Sequence, residues 1–562
     1  MPSATELSLR NISYLPQFRF TGFATPGLRA EKNLFRVSLV LGSTFQSRTL
    51  VSRDIETCKE NLSHIFAPAA GRTIPLYSGE RDLLSLGRAK NGTRTYHGVG
   101  LQGSHFMKEA TVMQNTLLTR RSALGLMCAG AAATAASLCA PELARASSLP
   151  DAMPAKGKFL WGAATAGHQV EGNLVNDDCW LLENLRDSMF KEPSGDACDQ
   201  YHLFESDIAM LASFGLNAYR FSVEWSRIEP VEGSFSQAEL GHYRRMLEAC
   251  HQHGVTPVVT YNHDAVPQWF AVQGGWESPQ AAALFARYCT VVTKSLGDLI
   301  GYAMTLNEPN LPMLFRWMEV PHVGSLSDLL RGKLPGIRQQ TGHAQLSTYF
   351  TGDPDRMLET MLAAHSEGRK AIKAERSGLP VGFALAIEDD QDPLPEMHTE
   401  SHVMEKRKQV YGPWFDIAKS DDYLGVQNYS RAFVGKYNLP PPPGAEITQS
   451  GWEFYPEGLE HTVRLAAKET GVPILITENG VGTDDDARRV EFIQRAVAGV
   501  ERCRKDGVDV RSYIHWTLID NFEWVAGYNV HMGLVAVDRS TQKRTPKPSA
   551  AYLGSLARKS RG

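Results

Sequence analysis

The sequence predicts an α/β fold, a single (β/α)8 TIM barrel forming one catalytic domain over residues 157–557. Three observations carry this. Short apolar runs begin at Phe159 and recur to the end of the chain. Longer stretches of helical period lie between them. Two of the runs lead straight into a glutamate beside an asparagine. The runs fall at 159–164, 218–223, 256–261, 302–306, 381–386, 423–426, 474–477 and 512–518, and strands buried on both faces read as such runs. Helices are predicted over 237–253, 279–296 and 355–377. The segments 317–350 and 388–420 read as long loops crowning one end of the barrel. Pro440 to Pro443 reads as extended loop, and Asp484 to Asp486 as a solvated turn ahead of a helix. His251 and His253 diverge on a helix and read as solvated; no zinc-type Cys/His spacing is present.

The two glutamates carry the chemistry. Tyr302-Ala303-Met304-Thr305-Leu306 leads through Asn307 into Glu308 and Pro309. Pro473-Ile474-Leu475-Ile476-Thr477 leads into Glu478, Asn479 and Gly480. A carboxylate has little reason to end a buried parallel strand unless it faces a cleft. A pair of them suits retaining glycoside hydrolysis, in which one carboxylic acid protonates the leaving oxygen and one carboxylate attacks the anomeric carbon. The strings Thr305-Leu306-Asn307-Glu308-Pro309 and Ile476-Thr477-Glu478-Asn479-Gly480 resemble those of glycoside hydrolase family 1, the retaining β-glucosidase family, over about residues 158–556. The resemblance implies that Glu308 is the acid/base and Glu478 the nucleophile.

It implies further roles, residue by residue. Gln169, in Ala166-Gly167-His168-Gln169-Val170-Glu171-Gly172, matches a glutamine that binds sugar hydroxyls, and its amide offers both donor and acceptor. Arg220, inside the apolar run Tyr219–Val223, needs an acid partner and would hold Glu478 ionised. His263 matches a sugar-binding histidine, and Tyr429 a tyrosine that contacts the nucleophile. Asn307 is expected to hold the sugar's 2-hydroxyl. Trp516, Glu523 and Trp524 match the eighth-strand motif, with indoles as apolar platforms and a carboxylate for two hydroxyls. Glu523, read as ionised, also argues against 6-phospho-glycosides through like-charge repulsion. Three places depart from the family pattern: Asp264-Ala265 for Trp-Asp, Gln427-Asn428 for Asn-Tyr, and His531-Met532 for Arg-Phe.

The expectation is therefore a retaining exo-β-glycosidase. It would release a terminal β-D-glucosyl, galactosyl or fucosyl residue from small β-glycosides or oligosaccharides, with no metal and no organic cofactor. A transglycosidase acting on an alcohol or phenol shares the same covalent intermediate. A non-catalytic glycan-binding protein is the alternative of another class, and the presence of both Glu308 and Glu478 speaks against it. A net charge of -4 gives no electrostatic case for nucleic acid or for stable association with an anionic membrane.

Residues 113–146 read as a twin-arginine signal peptide. Arg120-Arg121 is followed by a weakly apolar run rich in Ala and Gly, and Ala144-Arg145-Ala146 offers a cleavage site. The partner implied is the twin-arginine export machinery, and the location periplasmic or secreted. Residues 1–112 show no motif. The signal's internal position suggests that translation starts at Met107 or Met113, with the preceding stretch an artefact or a disordered extension. Cys179 and Cys198 lie close enough in sequence to pair in an oxidising compartment. The exported protein is expected to begin at Ser147, and a chain starting there to be fully active. Replacing Arg120 and Arg121 by lysine should hold the protein in the cytoplasm. Intact mass of the exported form measures this, and peptides from residues 1–106 in that form would refute it.

Overall fold

The computed structural model describes residues 159–393 and 400–560, together with four short strands nearer the amino terminus. The chain divides into two units, Met1–Thr21 with Ser147–Gly562 and Gly22–Ala146. In the first, Leu7–Ser8 pairs with Arg19–Phe20; in the second, Phe35–Ser38 pairs with Thr49–Ser52. The export signal read at 113–146 lies outside the described residues.

Eight parallel strands close into a barrel in chain order. They are β1 (Leu160–Ala164), β2 (Ala218–Ser222), β3 (Thr256–Asn262), β4 (Tyr302–Leu306), β5 (Val381–Ala386), β6 (Tyr423–Gln427), β7 (Ile474–Glu478) and β8 (Val510–Trp516). β8 pairs with β1 to complete the ring. Successive side chains alternate between two apolar layers. Leu160, Ala218, Val258, Met304, Ala384, Leu475 and Ile514 fill the barrel. Their neighbours Trp161, Tyr219, Val259, Ala303, Phe383, Ile476 and Tyr513 pack against the outer helices. Both faces are thus apolar, which is why the strands read as unbroken runs.

The outer helices start where the sequence supplies a cap. Ser236 opens Gln237–Gln252, Asp353 opens Pro354–Glu375 by accepting from two backbone amides, and Asp485 opens Asp486–Lys505. Asp484 pairs with His531 at 2.5 Å, so this acidic triplet is a turn and a cap. The segments expected as plain loops contain helices. Leu326–Thr341 follows β4 and begins with a capping box of Ser325 and Asp328; Glu400–Val410 and Gly412–Ala418 follow β5. His253 is exposed as expected, but His251 is half-buried and its Nε2 bonds Leu299 O at 2.8 Å. Cys179 and Cys198 do not pair. Both are buried free thiols, and the Cys198 thiol donates to Asp520 O at 3.2 Å instead. Among the described residues no helix is long and apolar enough to cross a membrane.

Glycines let adjacent barrel strands meet. A Cβ on Gly162 would lie 2.5 Å from Ala218 O, and one on Gly382 2.3 Å from Tyr423 O; both obstacles are backbone. Gly336, in the helix Leu326–Thr341, has open space instead. Gly162→Ala is expected to destabilise by about 1–3 kcal/mol through overpacking. Gly336→Ala should stabilise by up to about 1 kcal/mol through helix propensity. Urea midpoints of the two variants should move in opposite directions.

Candidate active site

The carboxyl-terminal ends of the strands converge on one pocket. It is lined among others by His263, Glu308, Tyr429, Glu478, Trp516, Glu523 and Trp524. Seven of the ten residues expected at the site therefore line it directly. The other three, Arg220, Asn307 and Gln169, stand immediately behind the wall and hold residues that do.

Arg220 is the hub. It is fully buried on β2, among inward-facing residues. Nη1 pairs with Glu478 Oε1, Nη2 donates to Asn307 Oδ1 at 2.6 Å, and Nε donates to Thr260 Oγ1 at 3.1 Å. One guanidinium thus ties β2 to β3, the end of β4 and β7. Tyr429 donates to the other carboxylate oxygen, Glu478 Oε2, at 2.5 Å. Glu478 therefore has both oxygens engaged and one fixed orientation.

Asn307 is held on three sides. Its Oδ1 also accepts from Gln427 Nε2 at 2.9 Å, and its Nδ2 donates to Asp264 Oδ1 at 3.3 Å. Gln427 and Asp264 stood out in the sequence only as departures from the family pattern; here they form part of the site. Glu308 has φ 39° and Asp264 φ 65°, both in the left-handed region that non-glycine residues rarely occupy. Tyr349 anchors this turn by donating to Glu308 O at 2.5 Å. Its contribution from a distant loop left no local signal in the sequence.

The sugar platform sits on β8 and the turn after it. His263 stacks on Trp516 at 5.6 Å and lies 6.3 Å from Trp524. Trp524 also stacks in parallel on His168 at 5.6 Å. His168 is clamped from beneath by Asp177 at 2.7 Å and Glu183 at 3.4 Å. Burial pulls this imidazole down, but the two carboxylates outweigh it and hold it protonated. Gln169 Nε2 reaches Phe522 O at 2.9 Å and Glu523 Oε2 at 3.4 Å, while its Oε1 is buried without a protein partner.

The titrating groups are pushed apart. Burial first, then the charges of Glu478 and Asp264, raises Glu308 well above the usual carboxylate range. Burial also raises Glu478, but Arg220 and Tyr429 pull it back. The pair therefore holds its proton on Glu308. His263 is lowered, by burial and then by Arg220, and is neutral. Burial and the charge of Glu478 push Glu523 up to about 8. That corrects the reading of Glu523 as a fixed anion, so its like-charge repulsion of phosphate is weak at neutral pH. The stronger objection to a phosphorylated sugar is that, among the described residues, no lysine or arginine lines the pocket.

A half-buried, proton-bearing acid beside an arginine-held carboxylate, at the strand ends of a (β/α)8 barrel, defines a glycoside hydrolase. The sequence profile of glycosyl hydrolase family 1 matches residues 151–429 and 431–561. The chain belongs to that family. It is 30% identical over 436 residues to beta-glucosidase A of Acetivibrio thermocellus, covering 70% of this chain and 96% of that protein. Two solved structures are similar at a TM-score of 0.68. One is the apo structure of a beta-glucosidase 1317, at 46% identity, covering 71% of this chain and 98% of the other. The other is beta-glycosidase BGL167, at 48% identity, covering 71% and 96%.

A pH dependence follows from these shifts. Glycoside hydrolysis by this pair as nucleophile and acid would need Glu478 ionised and Glu308 protonated, so kcat/KM should rise with pH through the first and fall through the second. Asp264, pushed up to about 8 chiefly by burial, gains charge as pH passes that value and then helps Glu308 keep its proton. Asp264→Asn removes that help, so the falling limb should move to lower pH. A falling limb unmoved in the variant would show that the two carboxyls are not coupled.

Proposed function

We propose that the chain is a retaining exo-β-glycosidase acting on non-phosphorylated β-D-glucosides and related glycosides. The observation that carries this is the unequal treatment of the two carboxyls. Glu478 is fixed by Arg220 and Tyr429, whereas Glu308 is half-buried beside three other acids and bears a proton. In the first step a Glu478 oxygen bonds to the anomeric carbon as the glycosidic C–O bond breaks, and Glu308 gives its proton to the departing oxygen. In the second step Glu308 takes a proton from water, whose oxygen displaces Glu478 from the sugar. Trp516 and Trp524 offer apolar faces to the ring, and Gln169, His263 and Glu523 offer hydrogen bonds to its hydroxyls. Asn307 reaches the 2-hydroxyl by exchanging its bond to Asp264 for one to the sugar. The relatives' description as beta-glucosidases supports glucose as the glycone.

We also propose, from the Arg120-Arg121 signal in the sequence, that the enzyme acts outside the cytoplasm after delivery by the twin-arginine machinery. The five cysteines among the described residues are buried and free, which suits a chain that folds in a reducing compartment before export.

Variants at the two carboxyls test the mechanism. Glu478→Ala should abolish hydrolysis, and azide should restore product as the α-glycosyl azide. Glu308→Ala should cost about 10²–10⁴-fold on alkyl glucosides and far less on a dinitrophenyl glucoside, whose leaving group needs no proton. Equal losses on both substrates would remove Glu308 as the acid.

A further inference from the structure

The segment between β4 and the helix Pro354–Glu375 begins with the acid, Glu308, and then builds one wall of the pocket. It contributes Leu311, Leu314, Phe315, Leu326, Leu330 and Phe350 to the lining. Every one is apolar. Two of them, Leu326 and Leu330, come from the inserted helix Leu326–Thr341, one turn apart on the same face. All six are buried and show the cavity only a small part of their surface. Glu308 protonates the oxygen of the departing group, so the wall that grows from Glu308 flanks that group.

Most donors on the facing wall are already engaged, and the acceptors left without a protein partner are Gln427 Oε1 and Asn428 Oδ1. Ser430 Oγ donates to Glu453 O at 2.8 Å, and Asn428 Nδ2 to Ile387 O and Ser430 O, each at 2.8 Å. Gln427 Nε2 is taken by Asn307. Glu388 Oε2 accepts from Lys406 at 2.6 Å and from Asn438 at 2.8 Å. Lys406 is fully buried and bonds Asp390 as well, which fixes Glu388 in place. Trp452 adds an aromatic surface, packed against Tyr429 at 5.1 Å. A second sugar in this space would bring several hydroxyls that must each exchange water for a protein partner. Against six apolar side chains it finds none on that side.

From this wall we infer that the aglycone is apolar, an alkyl, terpenoid or aryl alcohol, and not a second sugar. The inference rests on the glycosidase reading above and names the leaving-group class of the same site. An apolar chain gains by burial against the wall, and the gain grows with each methylene until the wall is covered. Because the wall is contiguous with the proton donor, the gain accrues to the bound leaving group and should appear in kcat/KM.

The test is kcat/KM for methyl, butyl, hexyl and octyl β-D-glucosides, held below their micelle concentrations, beside cellobiose and 4-nitrophenyl β-D-glucoside. The expected result is a rise of about threefold per methylene, with hexyl glucoside well ahead of cellobiose. Leu330→Asn should lower the ratio of hexyl to methyl glucoside turnover severalfold. A loss of folded enzyme would lower both and leave the ratio unchanged. A flat alkyl series in the wild-type protein, or cellobiose as the better substrate, would overturn the aglycone assignment while leaving the glycosidase reading intact. No turnover of any glucoside, the nitrophenyl one included, would overturn both.

Discussion

The site depends on one buried guanidinium. Arg220 stands where the barrel would otherwise be filled by apolar side chains, and its charge is admitted only because Glu478, Asn307, Thr260 and the carbonyl of Thr477 surround it. Removing one partner of such a pair leaves an uncompensated charge, which costs about 3–5 kcal/mol. The cation is therefore fixed by the same bonds that fix Glu478. Four strands cannot shift relative to one another without breaking it, so the geometry at the anomeric carbon is inherited from the barrel's own register.

The Arg220 cation also decides which of the two carboxyls, Glu308 or Glu478, keeps the proton. Glu308, Asp264, Glu478 and Glu523 share the pocket, and one guanidinium cannot hold four anions in a space of low dielectric. Glu478 wins because Arg220 and Tyr429 both contact it. Burial raises the other three, and the charge of Glu478 adds to it. A protonated Glu308 is thus a consequence of burial first and of its acidic neighbours second. The same crowding makes Glu523 and Asp264 able to donate as well as accept, which suits sugar hydroxyls that do both.

The sequence disclosed the strand layer more fully than the segments that crown it, and the physical reason is local. β1 to β8 are buried on two faces, so each writes its position as an apolar run, and the expected bounds agree with the observed ones within two residues. β8 ends at Trp516 where the run continued to Leu518, because Leu518 N bonds Ala164 O and carries the chain across the barrel mouth. Glu308, Glu478 and Arg220 were legible because a charge in such a run has few explanations. The helix Leu326–Thr341 was not, since Gly332, Pro335 and Gly336 dilute its pattern. Asp264 and Gln427 were visible as anomalies without a role. Their role is a contact to Asn307, and no short-range pattern encodes contacts across three strands. The charge of Glu523 was misread for a related reason: ionisation depends on how many acids share the pocket, which sequence distance does not reveal.

This division of legibility matches a division of labour in the fold. Residues that act on the sugar sit at strand ends, where backbone position is fixed by ladder hydrogen bonds on both sides. Residues that meet the departing group come from the insertion after β4, whose helix is tied to the barrel mainly by apolar packing. Chemistry at the anomeric carbon tolerates little displacement, because a misplacement of about 1 Å can cost about 10²-fold. A leaving group held by apolar contact has no such directional demand. The barrel can therefore keep Glu308, Glu478 and Arg220 unchanged while the segment beginning at Leu311 varies, and the aglycone accepted can change without altering how the bond is broken.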